Sequence, residues 1–191
     1  MPNIKGNALG GLKRYVEETH GAAGFERWLA DVPKQHQEAV RAIVLPAAWY
    51  PVLTWNVVLQ RYVDVFGAGK PESFKPVAEF IAANDLTKIF KVLLTLASPS
   101  MVLGRVGFLW ERYFDVGTLS SVQRTAKSYV ITLDAPTGQA EGPDKIICSV
   151  GVPQWLVRAL QMTGAKSATA SHVRCRFNGA PKCETEMSWV D

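Results

Sequence analysis

The chain has 191 residues, of which 48% are hydrophobic and 20% charged, with a formal net charge of +4. This length and composition are typical of a globular protein with a sizeable core. The basic residues form no run of five or more, which argues against nucleic acid as a partner, and no segment approaches the roughly 20 apolar residues of a membrane span. Residues 1–12 lack the apolar core of a secretory signal, so we expect a cytoplasmic protein.

Apolar residues recur every three or four positions through the first two-thirds of the chain, which predicts a succession of amphipathic helices. Glycine or proline follows several of these segments, and Ser98 with Pro99 has the pattern of a helix N-cap with proline in the first turn. The predicted helical segments are 6–20, 25–29, 35–44, 55–66, 86–97 and 98–113.

From Ser128 onward the apolar period changes from 3.6 residues to two, which predicts strands. Strands are expected at 128–133, 145–150, 168–177 and 182–190, with a helix over 153–164 between the second and the third. The predicted fold class is therefore α+β, with a helical N-terminal body packed on a small C-terminal β-β-α-β-β lobe. We expect 1–191 to form a single domain, in which 1–120 is the helical part and 128–191 the antiparallel lobe.

The chemistry of the sequence is concentrated in its last quarter, which contains Cys148, His172, Cys175 and Cys183. Thiolate and imidazole are the preferred ligands of zinc, and four of them close a structural site. A turn at 178–180 would place Cys175 opposite Cys183, whereas His172 needs a bulge near Val173 to reach the same face of the sheet. The same residues are also compatible with buried free thiols, with a disulfide, or with water as the fourth metal ligand.

The sequence contains no glycine-rich phosphate loop, nucleophile elbow or His-Glu-x-x-His motif. A zinc ion closed by four protein ligands has no open position for a reacting water, so we predict a structural zinc in a non-enzymatic protein. The many aromatic residues favour either an ordinary packed core or an apolar ligand pocket between the helices and the lobe. The candidate pocket residues are Trp55, Phe90, Leu94, Trp110 and Tyr113.

The run His172-x2-Cys175-x7-Cys183, preceded by Cys148 and followed by Met187-Ser188-Trp189, resembles the end of 4-vinyl reductase domains. In that family an early cysteine, an acidic residue and a later cysteine pair bind zinc, and His172 stands here at the acidic position. The N-terminal half is similar to the wider superfamily of haem-NO-binding domains, 4-vinyl reductase domains and TRAPP subunits, nearest to a group of myxobacterial-type proteins of undefined role. The resemblance implies both the zinc site and the apolar pocket.

Haem-NO-binding domains hold haem through a histidine on a central helix and a Tyr-x-Ser-x-Arg motif. Segment 86–97 contains no histidine, and the chain lacks the motif. The remaining histidines, His20 and His36, are interpreted as solvated side chains. These observations argue against haem.

We therefore expect a sensory or regulatory signalling domain that binds a small apolar or aromatic ligand and acts on a partner protein or as a homodimer. Three alternatives are open: an assembly protein of the TRAPP-subunit type with no exchangeable ligand, a haem-based gas sensor, and an enzyme related to the tetrapyrrole vinyl reductases.

Overall fold

The computed structural model of the protein describes residues 1–89 and 97–190. Within these ranges a helical body is followed by a four-stranded sheet with one helix. The helices are α1 (Gly6–Asp31), α2 (Lys34–Arg41), α3 (Val52–Gly67), α4 (Lys75–Ile89), α5 (Pro99–Leu103), α6 (Val106–Glu111) and α7 (Val152–Met162). The strands are β1 (Asn3–Lys5), β2 (Trp49–Pro51), β3 (Thr118–Thr125), β4 (Ser128–Asp134), β5 (Ser167–Arg174) and β6 (Cys183–Val190).

Helix α1 continues through Gly21, where the sequence predicts an end. Gly21 has φ +66° and ψ −175°, a conformation that essentially only glycine adopts, so the helix kinks at this residue instead of ending. Phe25, Trp28 and Leu29 lie beyond the kink and are buried. Their burial keeps the second half of α1 against the helical body.

The helix predicted at 98–113 forms as two short helices, α5 and α6. Ser98 caps α5 as predicted, because its hydroxyl oxygen accepts a hydrogen bond from the backbone N–H of Met101 at 3.4 Å, and Pro99 lies in the first turn. Of the helix predicted at 86–97, the first residues belong to α4. The rest, including the candidate pocket residues Phe90 and Leu94, lies outside the described residues.

The C-terminal sheet is antiparallel, with the strand order β3-β4-β6-β5. Alternate residues of β4 and β6 are buried, among them Ile131, Leu133, Cys183 and Met187, as the period of two predicts. Helix α7 packs against β5 on one side and against α4 of the helical body on the other. The predicted α+β class, with a helical body and a C-terminal β-β-α-β-β lobe, is confirmed.

The strands that build this lobe differ in part from the predicted ones. The segment predicted as a strand at 145–150 contains one turn of π-helix, Ile147–Gly151, which leads directly into α7. The side chains at 146, 147, 148 and 150 are all buried, and such a short apolar run is equally compatible with a buried strand or a buried helix. The first strand is instead β3, which shows no apolar alternation because only Leu119 among its residues is buried.

One cluster of buried apolar side chains extends from Ile4 in β1 to Trp189 in β6. The N-terminal strand also reaches the second half of the chain through hydrogen bonds, since Asn3 donates to the Asp115 carboxylate and the Lys5 N–H donates to the carbonyl of Tyr113 at 2.8 Å. Among the described residues no helix has the length and apolar character that crossing a membrane requires.

Candidate functional site

The structure brings the four predicted metal-ligating residues together. The nearest donor atoms of Cys148, His172, Cys175 and Cys183 all lie within 4.8 Å of one another. The three cysteines are at most 7% exposed, and all three are free thiols. The Sγ atoms of Cys148 and Cys175 are 4.0 Å apart, about twice the length of a disulfide bond.

A bulge at Val173 aligns His172 with the cysteines, as the sequence analysis predicts. The register shifts between His172, which pairs with Thr185, and Arg174, which pairs with Glu184. Val173 is the extra residue, and its side chain is 46% exposed. Because paired residues share a face of the sheet, His172 lies on the buried face with Thr185 and with Cys183, two residues before Thr185 in β6.

Cys148 approaches the cluster from a helix and not from the predicted strand. It lies in the π-helical turn Ile147–Gly151, directly before α7. The cluster therefore joins the start of the lobe helix to the end of β5 and the start of β6. Its imidazole is incompletely satisfied, since Nε2 of His172 is buried without a hydrogen-bond partner. A buried nitrogen without a hydrogen-bond partner is available to bind a metal ion.

The pKa values of Cys148 and Cys183 are shifted in opposite directions. The hydrogen bond from the Cys148 thiol lowers the pKa of Cys183, and the backbone N–H and guanidinium of Arg176 lower it further. The same hydrogen bond, together with burial, raises the pKa of Cys148. Cys183 accepts hydrogen bonds from Nη1 of Arg176 at 3.3 Å and from the Arg176 backbone N–H at 3.4 Å.

A second candidate site is an apolar cavity of about 80 Å³ between the helical body and the lobe. Three of the predicted pocket residues, Trp55, Trp110 and Tyr113, line it. The sequence analysis missed Phe74 and Trp155, which also line it, because aromatic residues at helical spacing look alike whether they face a cavity or a packed core. The part of the wall that the described residues form exposes no polar atom.

A hydrogen-bonded group of side chains lies directly behind this wall. The Tyr113 hydroxyl donates to the Asp85 carboxylate and accepts from Nε1 of Trp155 at 3.0 Å, while the Asn7 amide donates to the same Asp85 oxygen at 2.8 Å. Burial and the adjacent Asp85 carboxylate raise the pKa of Tyr113 well above its ordinary value, so the phenol stays neutral. The group fixes Tyr113 and Trp155 at the cavity and connects α1, α4, α7 and the turn after α6.

The remaining histidines are less exposed than predicted. His36 is 7% exposed, and its Nδ1 lies 3.0 Å from the Thr54 hydroxyl. His20 stacks on Phe66 with ring centroids 3.8 Å apart, and burial lowers its pKa. Neither residue lines the cavity.

The fold defined by this helical body and antiparallel lobe is that of the H-NOX proteins. The structure of an H-NOX protein from S. oneidensis in the Fe(II)NO ligation state superposes with a TM-score of 0.75 at 13% sequence identity, covering 98% of this chain and 99% of that one. The Fe(II) unliganded H-NOX protein from K. algicida gives 0.73 at 12% identity, covering 98% and 97%. A structure solved to probe the function of heme distortion in the H-NOX family gives 0.72 at 8% identity, covering 98% and 95%. No protein-family model and no curated protein matches the sequence.

These likenesses correct two predictions. The assignment to 4-vinyl reductase domains, TRAPP subunits and myxobacterial-type proteins is wrong, because the solved structures that share the fold over nearly the whole chain are H-NOX proteins. The cofactor prediction is wrong in excluding haem, because the fold is one that occurs with Fe(II) and heme. A motif missing from the sequence carries less weight than a fold shared over nearly the whole chain, and the zinc receives no support from the neighbours.

The described residues nevertheless do not fit a haem in the present cavity. A cavity of about 80 Å³ is much smaller than the ~300–1,000 Å³ typical of ligand pockets. Among the described lining residues there is no histidine, and Tyr113 is the one with a side-chain oxygen of the type that binds haem iron. That oxygen already bonds Asp85 and Trp155, so among the described residues no axial ligand is available without breaking an existing hydrogen bond.

Proposed function

We propose that this chain is a non-enzymatic sensory or regulatory domain that binds a small apolar or aromatic ligand in the cavity between the helical body and the lobe. The observation that carries the proposal is the cavity wall, which is apolar throughout and is built from both parts of the fold. Filling such a cavity stabilises the arrangement of helices and sheet that fits the ligand best. The resulting shift in population would pass to a partner protein or to a second copy of the chain, and we expect this to occur in the cytoplasm.

The described wall of the cavity has few side chains that could act in catalysis. Its one hydroxyl, that of Tyr113, is held neutral by its raised pKa and is occupied by Asp85 and Trp155. General acid–base catalysis works best with a pKa near the working pH. We therefore expect binding without turnover.

Thermal unfolding in the presence of benzene tests the cavity. An apolar cavity of about 150 Å³ in another protein binds benzene or xenon. A ligand at ten times its Kd stabilises the folded state by about 1.4 kcal/mol. For a chain of this length we expect the melting temperature to rise by about 3–6 °C.

The matched variants are Ala78→Leu and Ala23→Leu, which add the same atoms on helices. Ala78 lines the cavity and is 3% exposed, whereas Ala23 lies on the exposed surface of α1. Benzene should stabilise the wild type and Ala23→Leu but not Ala78→Leu. Equal shifts in all three proteins would show that benzene binds elsewhere and would refute the proposal.

Haem-based gas sensing is the second candidate function, because the H-NOX fold favours it. Titration of the purified protein with haemin would give a saturable Soret band in this case. The Tyr113→Phe variant should lose or shift the band if Tyr113 is the axial ligand. If benzene stabilises the protein and haemin gives no Soret band, the result would support the leading proposal over haem-based gas sensing.

We also propose that Cys148, His172, Cys175 and Cys183 hold one thiophilic divalent metal ion. Three buried thiols and an imidazole nitrogen without a partner lie within 4.8 Å of one another, and such soft ligands select transition metals. The ion would join the π-helical turn to the β5–β6 hairpin, so its binding free energy would add to the stability of the lobe.

Metal analysis of protein purified without chelator tests this site. The wild type should contain one ion per chain, and Cys175→Ser should contain none and melt at a lower temperature. Ser171→Ala, on the exposed face of β5, is the control and should match the wild type. A wild type that takes up no metal even after incubation with Co²⁺ would exclude the site.

A further inference from the structure

The most deeply buried charge beside the cysteine–histidine cluster belongs to Arg176. This residue is 6% exposed, whereas arginine is almost never fully buried unless it is paired. It takes part in none of the ion pairs found among the described residues. Its Nε is buried without a hydrogen-bond partner. A buried cation in this state is costly, so its position requires an explanation.

The hydrogen bonds of Arg176 point to the cluster. Nη1 donates to Sγ of Cys183 at 3.3 Å, and the backbone N–H donates to the same sulfur at 3.4 Å. Nη2 donates to the carbonyl of Pro143, and the guanidinium lies 4.7 Å from the ring centroid of Phe177. The ionisable atom in direct contact with this cation is thus the sulfur of a metal-ligating residue.

The charge of the loaded cluster accounts for a cation at this place. Cysteine binds metal as the thiolate and histidine as the neutral imidazole. Three thiolates around one divalent ion therefore leave a single net negative charge. Arg176 supplies a single positive charge in hydrogen-bond contact with one of those thiolates, which balances the net charge of the loaded cluster.

We propose that Arg176 is the charge-compensating residue of the metal centre, which neutralises the loaded cluster and holds the Cys183 thiolate in position. This inference rests on the proposed metal site. Residues that hydrogen-bond a metal ligand orient it and tune its basicity. Arg176 acts through Cys183 in this way and does not bind the ion itself.

A purely structural role for Arg176 makes a different prediction. If the side chain only ties the Pro143 carbonyl to the hairpin, its removal should destabilise the protein equally with and without metal. If it compensates charge, removal should weaken metal binding. In the metal-free protein the same change removes a buried cation that forms no ion pair among the described residues, and this gain offsets the lost hydrogen bond to the Pro143 carbonyl, so stability there should stay the same or rise.

Titration of metal-free protein with Co²⁺ separates these roles, because thiolate–cobalt charge-transfer absorption reports the occupied cluster directly. We expect Arg176→Met to bind Co²⁺ about 10–100-fold more weakly than the wild type and to unfold in chelator at the same or a higher temperature. Arg176→Lys keeps the charge and should retain most of the affinity. Arg174→Met is the matched control, since Arg174 is 66% exposed and pairs with Glu184, and it should bind like the wild type.

The outcomes distinguish the inference from the proposal on which it depends. A wild type without the absorption band would remove the metal site and the role of Arg176 with it. A wild type that binds Co²⁺ while Arg176→Met binds equally well would leave the metal site intact and overturn the role of Arg176. If Arg176→Met fails to fold, as judged by circular dichroism, Arg176→Gln carries the same expectation.

Discussion

At the scale of single residues, two buried polar side chains, those of Asn56 and Arg176, contact one loop of the lobe. The Asn56 side chain, 1% exposed, donates to the carbonyls of Gln139 and Gly142 at 2.8 Å and accepts from the N–H of Asp144 at 3.2 Å. Arg176 holds the next carbonyl, that of Pro143. A buried amide and a buried guanidinium thus fasten the loop that leads into the π-helical turn, and they satisfy backbone groups that would otherwise be unpaired.

Asp144, at the end of this loop, should make stability depend on pH. Burial raises its pKa from 3.8 to about 6, although hydrogen bonds from the N–H groups of Ile147 and Ile146 and the charge of Arg176 oppose the shift. Between these two values the folded chain keeps a proton that the unfolded chain has lost. Stability from this group is therefore complete below pH 3.8 and is lost as the pH rises through about 6.

We expect the variant Asp144→Asn, which stays neutral, to escape this loss. The difference in unfolding free energy between variant and wild type should grow across the same pH window by at most about 3 kcal/mol. Urea unfolding at a series of pH values measures it. Asp134→Asn, half exposed and paired with Lys182, is the control, with a change below about 0.5 kcal/mol. A flat difference for Asp144→Asn would mean that this carboxyl ionises like an exposed one.

The residues of the metal cluster could be predicted because their side-chain chemistry is rare and their spacing constrains a strand. Three positions separate His172 from Cys175, so a regular strand cannot place both on one face. This spacing predicted the bulge that the structure has at Val173. Arg176 could not be found in the same way. Nothing in the sequence distinguishes a buried arginine from an exposed one such as Arg174 until the fold is known.

At the scale of elements, the kink in α1 shows how one glycine sets the course of a helix. Gly21 has φ +66° and ψ −175°, and no atom would lie within 4 Å of a Cβ added there. Replacement by alanine therefore meets only backbone strain, which costs about 1–3 kcal/mol in this region. We expect Gly21→Ala to lower the free energy of unfolding by that amount in urea denaturation.

Gly10→Ala, in the regular part of the same helix, is the matched control. Its added Cβ would meet Val44 at 3.5 Å, an ordinary contact, and alanine is favoured over glycine in a helix interior by up to about 1 kcal/mol. The two substitutions should thus change stability in opposite directions. Equal stabilisation by both would indicate that α1 runs straight through position 21.

Elements were predictable from the sequence where one face is buried and the other is not. The alternation in β4 and β6 and the three-to-four spacing in α1 and α3 are of this kind. The π-helical turn is buried at nearly every position, and β3 is exposed at nearly every position. Neither has a periodicity to detect, so tertiary contacts alone decide their conformation.

At the scale of the whole molecule, the α+β class followed from the order of helical and strand patterns, but the likeness to the H-NOX fold did not. A set of three cysteines and one histidine defines a local chemistry that unrelated folds can share. The H-NOX likeness lies instead in the arrangement of the whole chain, at 8–13% sequence identity.

One feature of that arrangement is the turn Ile147–Gly151, which belongs to both candidate sites. Ile147 and Gly151 line the cavity, and Cys148 between them belongs to the metal cluster. Any displacement of this turn must therefore change both the cavity and the metal cluster. Occupancy of the cavity and occupancy of the cluster then form a thermodynamic cycle, in which each must alter the affinity for the other by the same factor.

Two titrations would close that cycle. The first titration measures the affinity for Co²⁺ with and without saturating benzene, and the second measures the affinity for benzene with and without Co²⁺. The two affinities should change by the same factor, and coupling of this kind typically amounts to about 5–150-fold. Ala78→Leu, which fills the cavity, provides the control, because its Co²⁺ affinity should not respond to benzene. A factor of one in the wild type would mean that the turn is rigid and that the two sites are independent.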